Sequence, residues 1–243
     1  MHGGWSNEET SLGTPSSPGP FKNIIDNYIS HGVLKPLIIV CPTYNNESPN
    51  DSSDYTLAYY TLTVNYHNEL SNDLIPAVEG KYSTYASSTS DEDIISSREH
   101  RAFGGFSMGS VCSWYTFVNC LDRFKYFITS SGAISKETID ESVANVAKQG
   151  KTKNDFFIMS FTGSGDFART EFTNLINNLL SSSSGNFING TNENNGNLYF
   201  RIKNGFSHDH TAFMTYMYNG LLGFWKNTEE NNIFTLDSTT EQV

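Results

Sequence analysis

Along this chain, apolar runs of strand length alternate with stretches whose apolar residues recur at helical spacing. Leu37-Ile38-Ile39-Val40 is a continuous apolar run rich in β-branched residues, the pattern of a strand buried on both faces. Arg101 to Phe106, Tyr126 to Thr129, Phe156 to Phe161 and Leu198 to Ile202 are further strand candidates. Between them, Val111, Trp114, Tyr115 and Val118 recur at i, i+3, i+4 and i+7, as do Phe172, Leu175, Ile176 and Leu179. Phe213, Tyr216, Met217 and Leu221 repeat the stripe near the C-terminus, and Ile25, Tyr28 and Ile29 precede Gly32, a plausible helix C-cap. Each stripe predicts a core-facing helix and is assigned no chemistry. The alternation predicts βαβ units: an α/β fold with a mostly parallel central sheet flanked by helices.

No internal repeat is visible. Thr10 to Pro20, Tyr44 to Asp54, Ser87 to Ser97 and Ser181 to Asn197 are rich in Ser, Asn, Asp, Gly or Pro and read as loops. None is long enough for a domain linker, so residues 1–243 are expected to form one catalytic domain. The net charge of −11 argues against nucleic acid or an anionic membrane as partner, because both require Lys and Arg to neutralise phosphates. No apolar run is long enough to span a bilayer, and no signal peptide is visible. Cys112 and Cys120 are too far apart along one helix to pair, and buried free thiols are expected, with the pairing of Cys41 left open. Asn46, Asn50 and Asn189 begin glycosylation sequons, which an Asn/Ser-rich chain also generates by chance.

Chemistry enters with Gly104-Gly105-Phe106-Ser107-Met108-Gly109-Ser110. Gly105, Ser107 and Gly109 form a Gly-x-Ser-x-Gly pattern between a strand candidate and a helix candidate, the setting that lifts a serine hydroxyl above a sheet edge. A nucleophilic serine needs a base, and the base needs an acid, expected in the order Ser, acid, His on loops after successive strands. Asp166 ends Thr162-Gly163-Ser164-Gly165-Asp166 directly after a strand candidate, and it also suits a helix N-cap. His208 and His210 lie beyond it, in Gly205-Phe206-Ser207-His208-Asp209-His210. His208 is the expected base, with Asp209 as the N-cap that puts His210 in the first helical turn. An oxyanion hole is expected from the backbone N–H of Met108 and from an early His-Gly-Gly loop, here His2-Gly3-Gly4-Trp5, with Gly4 as donor.

The segments "MHGGWSNE", "SREHRAFGGFSMGS", "FTGSGDFA" and "GFSHDHTAF" together resemble the esterase D-like α/β-hydrolases of carbohydrate esterase family 1, and among them the feruloyl esterases. The resemblance covers nearly the whole chain. It implies an α/β-hydrolase fold, with Ser107 as nucleophile, Asp166 as acid, His208 as base, Gly4 and Met108 as oxyanion donors, and no cofactor or metal. That family usually has strands upstream of the His-Gly-Gly loop; none precede it here, so the sheet is expected to lack its first strands or the numbering to start late. Trp5 stands where many relatives have another glycine, and it is expected to offer an aromatic wall to the substrate.

The expected reaction is release of ferulate or a related hydroxycinnamate from feruloylated arabinoxylan by a secreted enzyme, with other modules possible beside it. Phe106 and Trp5 would stack on the planar acyl group, and the acidic chain suits a neutral polysaccharide. The motifs leave open another ester in the same fold, such as acetylated xylan or S-formylglutathione. A metal-dependent deacetylase using His208-x-His210, or a carbohydrate-binding domain, leaves the serine elbow and the His-Gly-Gly loop unexplained.

Overall fold

The computed structural model describes residues 1–44, 61–135 and 146–226. Near the N-terminus a short helix α1 (Glu9–Leu12) leads into a two-residue antiparallel ladder of β1 (Gly13–Thr14) and β2 (Ser17–Pro18). Helix α2 (Pro20–Ser30) follows, with Pro20 in its first turn, where a missing N–H is harmless. It ends as the spacing predicts: Gly32 takes φ +71°, and the amides of Gly32 and Val33 cap Ile29 and Tyr28. A helical run then passes from α3 (Thr63–Glu69) through a π turn (Leu70–Leu74) into α4 (Ile75–Lys81). Pro76 sits at the start of α4 and has no N–H to give the preceding turn, which accounts for the wide turn there.

The central sheet has four parallel strands in sequential order: β3 (Ala102–Phe106), β4 (Tyr126–Ser130), β5 (Phe157–Gly163) and β6 (Leu198–Lys203). A further short helix, α5 (Asp91–Ser96), precedes β3, while α6 (Met108–Cys120), α7 (Arg169–Leu180) and α8 (His210–Gly223) complete the layers. Successive strand residues point to opposite faces, and each face has its own core. Phe127 and Ile158, paired in register, join residues of α3, α6 and α7. Tyr126, Ile128, Phe157 and Met159 face the other way and pack with Phe21 and Ile25 of α2 and Tyr216 and Met217 of α8. Helix α6 is buried on nearly all sides, as expected for the crossover beside the strand that carries the elbow.

The Arg98-Glu99-His100-Arg101 stretch before the elbow is a latch. The Arg98 guanidinium is buried and donates to the carbonyls of Leu121, Phe124 and Asp155 at 2.7–3.0 Å. Arg101 donates to the carbonyls of Ile94 and Arg123 and pairs with Glu79. Together they tie the entry of β3 to the loops around β4 and β5.

Two expectations are corrected. Leu37-Ile38-Ile39-Val40 is not a sheet strand. Leu37 and Ile39 lie against the second core while Ile38 and Val40 are 48% and 40% exposed, a strand-like alternation without a ladder. The Met1 nitrogen donates to the Gly104 carbonyl of β3, the edge strand of this sheet among the described residues, at 2.6 Å. Within Ser87 to Ser97, read as a loop, α5 forms because the Ser90 hydroxyl accepts from the Asp93 amide and three acidic residues occupy the first turn. Most of the Tyr44 to Asp54 loop, with the Asn46 and Asn50 sequons, lies outside the described residues. The three cysteines are free, and burial pushes the Cys112 and Cys120 thiols up to about 12 and about 11.

Candidate active site

Ser107 stands between the end of β3 and the start of α6 with φ +59° and ψ −123°, a conformation that side-chain-bearing residues rarely adopt and that costs about 1–3 kcal/mol. The fold holds it there. Its amide donates to Ser130 O at 2.8 Å, and its carbonyl accepts from Ser110 and Val111 in the first turn of α6. The two pattern glycines are steric requirements: a Cβ on Gly105 would meet Gly109 O at 2.2 Å, and one on Gly109 would meet Met1 O at 2.3 Å and His2 O at 2.7 Å. The amide of Met108 begins α6, where first-turn N–H groups have no helical partner and the helix dipole is positive. The Met108 side chain is buried, so what this residue can offer the site is its N–H.

The His2-Gly3-Gly4-Trp5 loop lies against the elbow. A Cβ on Gly3 would come 3.3 Å from Ser107 Cβ and 3.2 Å from Phe106 O. His2 is the anchor: its ring bridges Gly3 O at 2.8 Å and Thr43 Oγ1 at 2.9 Å, meets Tyr44 edge-on, and is buried. Burial lowers its pKa against the opposing bond to Gly3 O, which favours a neutral hydrogen-bonding ring. Trp5 follows at φ +58°, in the region that favours glycine, and its side chain is 75% exposed.

The acid and base loops are laced together. Ser164 N donates to Lys203 O, Gly165 N to Phe206 O and Gly205 N to Ser164 Oγ, all at 2.9 Å. Gly163 permits this approach, since a Cβ there would lie 2.1 Å from Phe206 O. The result is a 2.9 Å bond between His208 Nδ1 and Asp166 Oδ1. Asp166 Oδ1 also accepts from Ala168 N at 2.8 Å, so the residue caps the turn before α7 while facing His208. The Asp166 side chain is fully buried. Burial alone raises its pKa, but the bonds from His208 and Ala168, with the nearby Ser131 hydroxyl, outweigh it and hold the carboxyl below its ordinary range. The Ser131 hydroxyl is directed at Thr162 Oγ1 at 3.2 Å, and Asp166 Oδ2 is buried with no hydrogen bond among the described residues.

Asp209 caps α8, its Oδ1 accepting from Ala212 N at 2.9 Å, and this fixes the register in which His208 meets Asp166. His210 begins α8 and packs on Phe213, so the two rings of His-x-His serve different neighbours. Phe106, expected to stack on an acyl group, is instead buried beneath the site. Its ring lies 4.5 Å from that of His208 and packs on Phe213 and Tyr216. Sequence reasoning missed Phe167, which follows Asp166, is 81% exposed and lies 4.2 Å from the His208 ring. Its only sequence signal is its place next to the candidate acid.

Comparison with known proteins bears on the family and the fold. The family model described as "Putative esterase" matches residues 16–221. Endo-1,4-beta-xylanase Y of Acetivibrio thermocellus is 34% identical over 230 residues, 93% of this chain; the chain spans only 20% of that protein. The feruloyl esterase module from Clostridium thermocellum, solved as a serine-to-alanine mutant with sinapinate, is 32% identical with a TM-score of 0.83, covering 97% of this chain and 79% of that one. A ferulic acid esterase from Anaeromyces mucronatus, solved with ferulic acid, is 20% identical with a TM-score of 0.62 over 92% of this chain and 76% of that one, and shares the fold. A family model matching from β2 into α8, together with a parallel sheet that superposes on these structures, shows that the chain belongs to the esterase family and has an α/β-hydrolase-type fold.

Proposed function

We propose that this chain is a serine carboxylic ester hydrolase that releases ferulate or a related hydroxycinnamate from feruloylated plant arabinoxylan, outside the cell. The observation that carries the reading is the 2.9 Å His208–Asp166 bond, with the His208 ring 4.5 Å from that of Phe106, the residue before a serine held at positive φ at the head of a buried helix. The 32% identity to a feruloyl esterase module supports the substrate class.

In this mechanism Ser107 Oγ attacks the ester carbonyl carbon while His208 Nε2 takes its proton. Asp166 holds Nδ1 protonated and stabilises the imidazolium that forms. The carbonyl oxygen becomes an oxyanion, which the N–H groups of Gly4 and Met108 receive, helped by the positive end of α6. When the intermediate collapses, the C–O bond to the alcohol breaks and His208 returns the proton to the leaving oxygen. The acyl group remains on Ser107. Water then attacks it by the same proton route, releasing the acid and restoring the serine. Trp5 stands as an aromatic wall at the oxyanion side.

The deciding experiment measures kcat/KM for methyl ferulate, acetylated xylan and S-formylglutathione under one condition. Methyl ferulate is expected to be turned over fastest; clear preference for either competitor overturns the feruloyl assignment while leaving the serine chemistry in place.

A further inference from the structure

The reaction above needs no aromatic side chain on the open side of the base, yet one is there. Phe167 is 81% exposed, and its ring is tilted 34° to that of His208 with centroids 4.2 Å apart. From the core side, Phe106 approaches the same imidazole at 4.5 Å. The histidine therefore has one aromatic neighbour that is buried and one that faces solvent. Packing explains Phe106. It does not explain Phe167, whose side chain gains little by burial and leaves most of its apolar surface in water. Nor is Phe167 loosely placed. It follows Asp166, whose carboxylate is fixed by the Ala168 amide and by His208.

Its position decides what it can touch. His208 must hand a proton to the leaving oxygen, so the alcohol half of the ester sits against the imidazole, away from the oxyanion loop. A ring standing on the solvent side of His208 thus lines the alcohol side of the cleft. An aromatic face carries a negative quadrupole, which attracts the weakly positive C–H face of a sugar ring. We propose that Phe167 is a specificity-determining residue that stacks on the leaving sugar, making this site selective for esters of carbohydrate alcohols over simple alkyl esters. This rests on the feruloyl-esterase reading given above.

The test uses two substrates with the same acyl group, methyl ferulate and 5-O-feruloyl arabinose, so that acyl recognition and chemistry cancel in the ratio of their kcat/KM values. Wild type is compared with Phe167→Ala, Phe167→Leu and Phe167→Tyr. The wild type is expected to favour the sugar ester. Phe167→Ala is expected to lose the sugar ester about tenfold more than the methyl ester, mainly through KM. Phe167→Tyr should keep the preference, and Phe167→Leu, apolar but without a ring face, should not. Equal losses on both esters would mean that Phe167 only orients or shields His208, and unchanged kcat/KM values on both would mean that it does neither; each result overturns the proposal while the esterase reading stands. A wild type that hydrolyses neither ester overturns both.

Discussion

Gly109→Ala separates the position of the oxyanion loop from the identity of the catalytic groups. Gly109 is in the first turn of α6, where alanine suits the backbone and improves helix propensity by about 1 kcal/mol. The added methyl, however, would lie 2.3 Å from Met1 O and 2.7 Å from His2 O, whereas ordinary contact begins near 3.4 Å. The leading residues must therefore retreat from the elbow by about 1 Å, and Gly3 and Gly4 follow them. Overpacking of this kind costs about 1–3 kcal/mol, so net stability should change by no more than about 2 kcal/mol after the propensity gain. A displaced donor has a larger effect on catalysis: kcat should fall about 10²-fold, the range seen when one oxyanion donor is lost or a site shifts by about an ångström. The assay is steady-state hydrolysis of methyl ferulate beside urea unfolding of the same preparations. A folded variant with kcat within about threefold of wild type would refute the placement of the His-Gly-Gly loop as part of the site, since it lies far from the expected loss.

His208→Ala should lower kcat by about 10³- to 10⁶-fold while His210→Ala, which removes a ring packed on Phe213, has a modest effect; the reverse order in steady-state assays would place the base wrongly. The Asp166 carboxyl is held below its ordinary range, so the folded state prefers its ionised form. Its contribution to stability is then complete above the unfolded value of about 3.9 and is lost as pH falls through the lowered folded value. Urea unfolding should accordingly show a larger wild-type advantage over Asp166→Asn at neutral pH than in acid; an equal advantage at both would contradict the assignment. Arg98→Ala strands three carbonyls that share one buried guanidinium, and thermal or urea unfolding should show a loss of about 3 kcal/mol or more, with turnover largely kept by the folded fraction.

The four sheet strands were legible to within two residues because each is an apolar run bounded by turn residues, and the three long helices showed unbroken stripes. The helical run from Thr63 to Lys81 was not read at all. Its buried residues Tyr66, Leu70 and Ile75 are four and then five apart, because the π turn inserts an extra residue and breaks the helical period. Leu37 to Val40 misled for the opposite reason: its composition is that of a central strand, but half of its side chains face water and no ladder forms. At the site, motif order singled out Ser107, Asp166, His208 and the His-Gly-Gly loop; the structure bonds His208 to Asp166 and sets Gly3 against Ser107. What no motif could convey was which aromatic side chain faces the cleft. Phe106 and Phe167 both neighbour a candidate catalytic residue in sequence, and only the direction of the chain at β3 and after β5 buries one and exposes the other.

The central claim is that Ser107 forms a covalent acyl-enzyme. Its most direct test is reaction of the folded protein with a fluorophosphonate, followed by mass spectrometry of the peptides and residual activity on methyl ferulate. One adduct per chain on Ser107, formed in step with loss of activity and absent from Ser107→Ala, is the predicted result. Full inhibition with the adduct on another residue, or retained activity with Ser107 fully modified, would contradict the account.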